Sequence, residues 1–162
     1  MLARWIRSAG LAPHDFEAAR RRLAVAQPRQ AAPILLWGEG EASYPFALIA
    51  PLRLAPGKRW RWAAWGLAAA VAAYRQFGVR AYLQEDALWL HGKRVADTAV
   101  EVAGECAVIA SAFLMSFPSR CVATPSRELE QAFRLRLEAQ HGWQFDTSWP
   151  TESETLHFAA LA

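Results

Sequence analysis

The chain has 162 residues, 54% of them hydrophobic and 20% charged, with a formal net charge of +3. That balance argues against disorder over most of the chain and fits one domain, 1–162, large enough to bury a sizeable core. A pI near 9.2, carried mainly by arginine, fits attraction to an acidic partner and equally an ordinary globular surface.

Residues 1–12 carry Arg4 and Arg7 but lack the apolar stretch and cleavage site of a secretory signal. A first helix is predicted over 13–25. Pro13 suits its first turn, Asp15 and Glu17 complement its positive end, and Phe16, Ala19, Leu23 and Ala26 share one face. Arg20, Arg21 and Arg22 fall largely on the solvated side. Gln27-Pro28-Arg29-Gln30 breaks the chain. A short apolar strand follows over 33–37, then a turn at Gly38-Glu39-Gly40-Glu41, then a strand over 46–52 whose Pro51 places it near an edge or an end.

After the loop Ala55-Pro56-Gly57-Lys58, a helix is predicted over 60–77, stopped at Gly78. Its apolar run, 62–74, is about thirteen residues, whereas a spanning helix needs about twenty. It therefore reads as a core helix, with no membrane span, in a soluble cytoplasmic protein. Strands are expected over 79–83, 87–90, 95–102 and, after the turn Ala103-Gly104-Glu105, over 106–115. Short turns between them suggest an antiparallel meander. Phe117-Pro118-Ser119-Arg120 ends it. Thr124-Pro125 then caps a last helix reaching about Gln140, with Leu129, Phe133 and Leu137 on one stripe and Gly142 terminating it. The tail after Trp149 carries no structural assignment. Helices packed on a mostly antiparallel sheet make the fold class α+β.

Cys106 and Cys121 make no metal-ligand spacing, and a reducing compartment suits them. His91, His141 and His157 are spread without ligand spacing, so no metal site is expected. Eight Trp and eight Phe are expected mainly to pack, with some lining a pocket or an interface. Lys58-Arg59-Trp60-Arg61-Trp62 interleaves cations and aromatics as nucleic-acid and membrane-surface binders do. Without a second basic stripe, the favoured reading is a helix start whose tryptophans pack while its cations snorkel.

The densest signal is Leu88-Trp89-Leu90-His91-Gly92-Lys93-Arg94-Val95-Ala96-Asp97-Thr98-Ala99-Val100-Glu101: a strand, a glycine turn, and a strand opening on adjacent cations. This stretch, behind an alanine-rich helix, resembles the centre of the biotin and lipoate protein ligase superfamily. There, roughly Trp-Pro-Asn-Asp, a strand and Gly-x-Lys-Ile-Ala-Gly recur, and the lysine contacts an acyl-adenylate. His14-Asp15-Phe16-Glu17-Ala18, the strand over 46–52, the helix over 65–78 and Ala107-Val108-Ile109-Ala110-Ser111-Ala112-Phe113-Leu114 resemble further family segments in the same order, across about two thirds of the chain.

The resemblance implies a biotin/lipoate ligase-like catalytic-domain fold. It makes Lys93 and Arg94 the catalytic candidates, and Asp86, Trp89, Gly92 and Asp97 the ligand-binding candidates. Counting back from Val95-Ala96 puts Arg94 at the lysine position, whereas a one-residue slip restores both Asp86 and Lys93. In a regular strand that slip turns every side chain to the other face. Asp97 stands where the family has glycine and Leu114 where it has asparagine. The family's arginine- and glycine-rich loop is replaced by the short acidic Gly38-Glu39-Gly40-Glu41-Ala42-Ser43, and acidic side chains repel a nucleotide phosphate.

The favoured reading is thus a divergent ligase-like domain, defective in ATP-dependent adenylation, that binds a small carboxylic acid or an acidic biotinyl or lipoyl carrier domain. The alternative is an active lipoyl, octanoyl or biotinyl transferase or ligase acting on a carrier-protein lysine. ATP, biotin or lipoate enter as cofactors only if the ligase reading holds.

Overall fold

Strands buried on both faces organise the molecule, which is described by a computed structural model over residues 1–9, 13–40, 42–114 and 126–154. In β2 (Ile34–Glu39) and β3 (Ser43–Pro51), Ile34, Leu36, Ala47 and Ile49 enter one hydrophobic cluster, while Leu35, Trp37, Phe46 and Leu48 enter the other. Strict alternation with no solvated face is what helices on both sides of a sheet produce. The first cluster is closed by α1 (Pro13–Val25) through Phe16, Leu23 and Ala24. The second is closed by α2 (Trp62–Gln76) and α3 (Ser126–His141), which pack on each other.

The main sheet has six strands in the order β7-β8-β3-β2-β1-β9, adding β1 (Leu2–Ala9), β7 (Ala99–Ala103), β8 (Cys106–Leu114) and β9 (Gln144–Ser148). β1 runs parallel to β2 and β9, and the other neighbours are antiparallel. A second sheet of three antiparallel strands holds β4 (Ala81–Gln84), β5 (Ala87–Leu90) and β6 (Lys93–Asp97). Trp5, Trp37, Phe46, Phe113, Phe133 and Phe145 form one buried aromatic cluster under α3, with ring centroids 4.8–6.2 Å apart. Cys106 is buried, and its surroundings push its thiol up to about 11, so it behaves as a small apolar side chain.

The α+β class and all three long helices stand as expected from the sequence. Several elements differ. The single strand expected over 95–102 is two, because the chain leaves the small sheet at Asp97 and enters the main sheet at Ala99. The meander is also local. β8 pairs along its whole length with β3, which is far away in sequence, so Pro51 ends a central strand and marks no edge. β1 and β9 were not anticipated. The apolar strand continues through Gly38 and Glu39, where the sequence pattern predicts a turn.

The basic-aromatic run divides. Trp62 is buried and donates to Pro56 O at 2.7 Å, whereas Trp60 is 72% exposed with Arg61 lying over its ring. Among the described residues, no helix is long and apolar enough to cross a membrane. Glu41, Met115, the 117–120 stop, Cys121, the Thr124-Pro125 cap, His157 and the tail beyond 154 lie outside the described residues.

Candidate functional site

Two tight hairpins build the small sheet. Glu85 and Asp86 have φ of 51° and 55°, and His91 and Gly92 have φ of 48° and 83°, the double positive pattern of two-residue turns that match strand twist. Asp86 and Gly92 are therefore turn residues at opposite ends of β5. Trp89 stacks on Tyr82, with centroids 6.2 Å apart and planes at 16°, and donates to Gln84 O at 3.1 Å.

Between β5 and β6 the pairing runs Ala87 with Asp97 and Leu88 with Ala96, then Trp89 with Arg94 and Leu90 with Lys93. Val95 is left over as a bulge. The one-residue slip that separates the Arg94 register from the Lys93 register is thus built into the strand, because a bulge lets one strand change register within its length. Lys93 and Arg94 are both exposed. Arg94 reaches Asp97, with Nη2 2.5 Å and Nε 2.8 Å from Oδ1.

An open groove of about 1190 Å³ lies where α1, the start of β3, the end of β8 and the 95–99 segment meet. Its apolar surface comes from Phe16, Pro45, Ala110, Ala112 and Leu114; Phe16 and Ala110 belong to the cluster on the α1 side of the main sheet, whereas Leu114 packs against the other cluster. The many small side chains, alanines above all, leave the space unfilled. Polar groups converge from three directions: Arg20 from α1, Glu39 from β2, and Asp97 and Thr98 from the point where the chain changes sheets. Ser111 Oγ donates to Asp97 O at 3.1 Å and fixes that junction against β8.

Of the six residues singled out from sequence, Asp97 lines this groove. Arg94 is tied to it through Asp97. Lys93, Asp86, Trp89 and Gly92 are not among the lining residues. Sequence reasoning missed Arg20 and Thr98. Arg20 was placed on the solvated side of α1, yet its side chain is only 13% exposed and stands 3.8 Å from Glu101 Oε1. Its position one residue after the apolar Ala19 was the available signal, since a wide helix face takes in such flanking residues. Among the described residues, no group of three or more His, Cys, Asp or Glu side chains is arranged to hold a metal.

No protein-family model matches the sequence. No curated protein matches it either. Among solved structures, it is similar to a bi-partite lipoate protein ligase from Thermoplasma acidophilum, with a TM-score of 0.82 and 11% identity over 99% of this chain and 92% of that one. It is similar to a lipoate-protein ligase A bound with ATP, with a TM-score of 0.81 and 11% identity over 99% and 94% of the two chains. The biotin protein ligase of Aquifex aeolicus superposes less closely, with a TM-score of 0.57 and 11% identity over 86% and 69%. At such identities the likeness is one of fold, and the fold is that of the lipoate and biotin ligase catalytic domain.

Proposed function

We propose that this ligase-like domain binds a small carboxylic acid in the groove and does not activate it with ATP. One observation carries the reading: a groove with an apolar floor bears two carboxylates, Glu39 and Asp97, against the one cation Arg20 among the described lining residues, where a triphosphate would need several cations. An apolar cleft with a few convergent polar groups suits a small amphipathic ligand. Acidic side chains at its lining disfavour a polyanion. The fold adds support, because structures of this shape include a lipoate ligase described together with its E2 lipoyl domain. Lys93 and Arg94, exposed on the hairpin next to Asp97, form the candidate surface for an acidic carrier domain.

The test is ATP–pyrophosphate exchange with biotin, lipoate and octanoate, run beside equilibrium binding of the same acids without nucleotide. Binding without exchange is the expected outcome. Robust exchange that is lost in Lys93→Ala or Arg94→Ala would overturn the reading and restore an active ligase.

A further inference from the structure

We propose that one end of the main sheet is a peripheral docking surface for a bilayer containing anionic lipids, and that the chain rests there with its groove facing away. The surface is separate from the groove and does not depend on what the groove holds.

Strand register assembles this end. Leu2 pairs with Gln144, Ile34 with Ile49, and Pro51 and Ala103 both pair with Cys106. β1, β2, β8 and β9 therefore begin here, while β3 and β7 end here. The β7–β8 turn links the flanking loops: the Leu52 amide donates to Glu105 O at 3.0 Å, and a Cβ on Gly104 would lie 3.2 Å from Val25 Cα at the end of α1. Arg53 Nη2 donates to Ala31 O at 3.2 Å. Arg59 Nη2 donates to Val100 O at 2.9 Å, which lays the turn before α2 along β7. The groove is at the opposite end, where β3 starts and β8 finishes.

Apolar exposure is concentrated here. Among the described residues eight large hydrophobic side chains are exposed, and six of them, Met1, Leu2, Val25, Leu52, Trp60 and Val102, stand at this end. Singly scattered apolar side chains are ordinary on a protein surface, whereas their concentration marks a surface that meets another apolar body. Cations surround them: Arg29, Arg53, Lys58, Arg59 and Arg61 are all exposed. Within 25–31, 52–61 and 102–105 the only acid is Glu105. Folding thus supplies the second basic stripe that the sequence around Lys58 lacks, by bringing Arg29 and Arg53 to the same end.

The side-chain chemistry selects the occupant. An indole at headgroup level, aliphatic groups at the acyl boundary and cations at lipid phosphates are the parts of an interfacial anchor. Trp60, Leu52 and Val102 supply the first two, and the long stems of the cations let their charges stay among headgroups while the apolar groups go deeper. A nucleic acid would use the cations but leave Val25, Leu52 and Val102 in water. Stacking of successive bases also calls for a row of aromatics, and among the described residues this end exposes Trp60 alone.

The experiment is co-sedimentation of the full chain with vesicles of phosphatidylcholine alone, and of phosphatidylcholine and phosphatidylserine in equal parts. Binding to the anionic vesicles is expected to be at least about tenfold stronger than to the neutral ones, and to weaken as salt is added. A cation near an anionic surface contributes about fivefold, so Arg29→Gln and Lys58→Gln together should cost about tenfold or more. Trp60→Ala should cost severalfold, while Trp149→Ala, beyond the far end of β9, should leave binding unchanged. All four side chains are exposed, and thermal melting verifies that each variant folds. Equal losses in Trp60→Ala and Trp149→Ala, or none in either, would overturn the assignment to this end. Failure of wild type to bind the anionic vesicles would overturn the proposal outright, and parallel titrations with oligothymidylate and polyglutamate would then show whether a nucleic acid or an acidic protein takes the surface instead.

Discussion

Replacing Glu154 by Gln should remove a large part of the acid sensitivity of the fold. Glu154 is 4% exposed and ties its segment to β1 through Arg4 and to the turn after α1 through Gln27. Arg4 donates to both of its oxygens, at 2.7 and 2.9 Å, Gln27 Nε2 donates to Oε1 at 2.8 Å, and the Thr151 amide donates to Oε2 at 2.7 Å. Burial alone would raise the carboxyl pKa. The hydrogen bonds from Arg4, Gln27 and Thr151 outweigh it and hold the group at about 2, against an ordinary 4.5.

A gap of that size, at about 1.4 kcal/mol per pH unit, corresponds to stabilisation on the order of 3 kcal/mol. The folded-state pKa lies below the unfolded one. The stabilisation is therefore complete above the unfolded value near 4.5 and is lost as pH falls through about 2. Urea denaturation of wild type and Glu154→Gln, from about pH 7 down to about pH 2, measures it directly. The stability difference between the two proteins should be widest near neutrality and should shrink steadily towards the acid end. A difference that stays constant across this range would refute the linkage.

Two further outcomes test the packing. Gly66→Ala would place a Cβ 2.7 Å from Ile109 Cγ2 and 2.9 Å from its Cβ, so an overpacking cost of about 1–3 kcal/mol exceeds the helix-propensity gain of about 1 kcal/mol. The melting temperature should fall by roughly 2–8 °C, and an unchanged or raised value would show that α2 does not approach β8 this closely. Tyr74→Phe removes the hydroxyl that accepts from the Leu114 amide at 2.9 Å, and should cost about 1–3 kcal/mol in denaturant unfolding with an unchanged slope. No loss of stability would mean that this bond does not tie α2 to the end of β8.

Much of the fold was legible because the helices and the buried strands carry their own periodicity. α1, α2 and α3 show apolar stripes bounded by proline or glycine, and β8 is a continuous apolar run. β1 was not legible because Arg4 and Arg7 interrupt its apolar residues. Their partners are Glu154 and Glu130, which lie far away in sequence. β9 was equally hidden: Gln144, Asp146 and Thr147 are exposed on an edge strand, where burial imposes little pattern. The split at Thr98 left no local mark either, since Lys93 to Ala103 contains no proline or glycine.

The site divides along the same physical line. Turn chemistry is local, so the His91-Gly92 hairpin and its two cations could be read from adjacent residues. A groove is not local: this one exists because α1, β3, β8 and a strand crossover meet, and no short window contains two of its walls. The most conspicuous cations of the sequence, Lys93 and Arg94, are therefore ones that solvent and Asp97 already satisfy. Arg20 sits in a run of three arginines that looks like a solvated face, and only the fold singles out one of them. Arg21 is taken up by Glu101 at hydrogen-bond distance, while Arg20 is left 3.8 Å from it with its Nε buried. Desolvation without a hydrogen bond is a cost that a folded chain retains only where something offsets it. For Arg20 the Glu101 carboxylate, 3.8 Å from its Nε, supplies part of that offset.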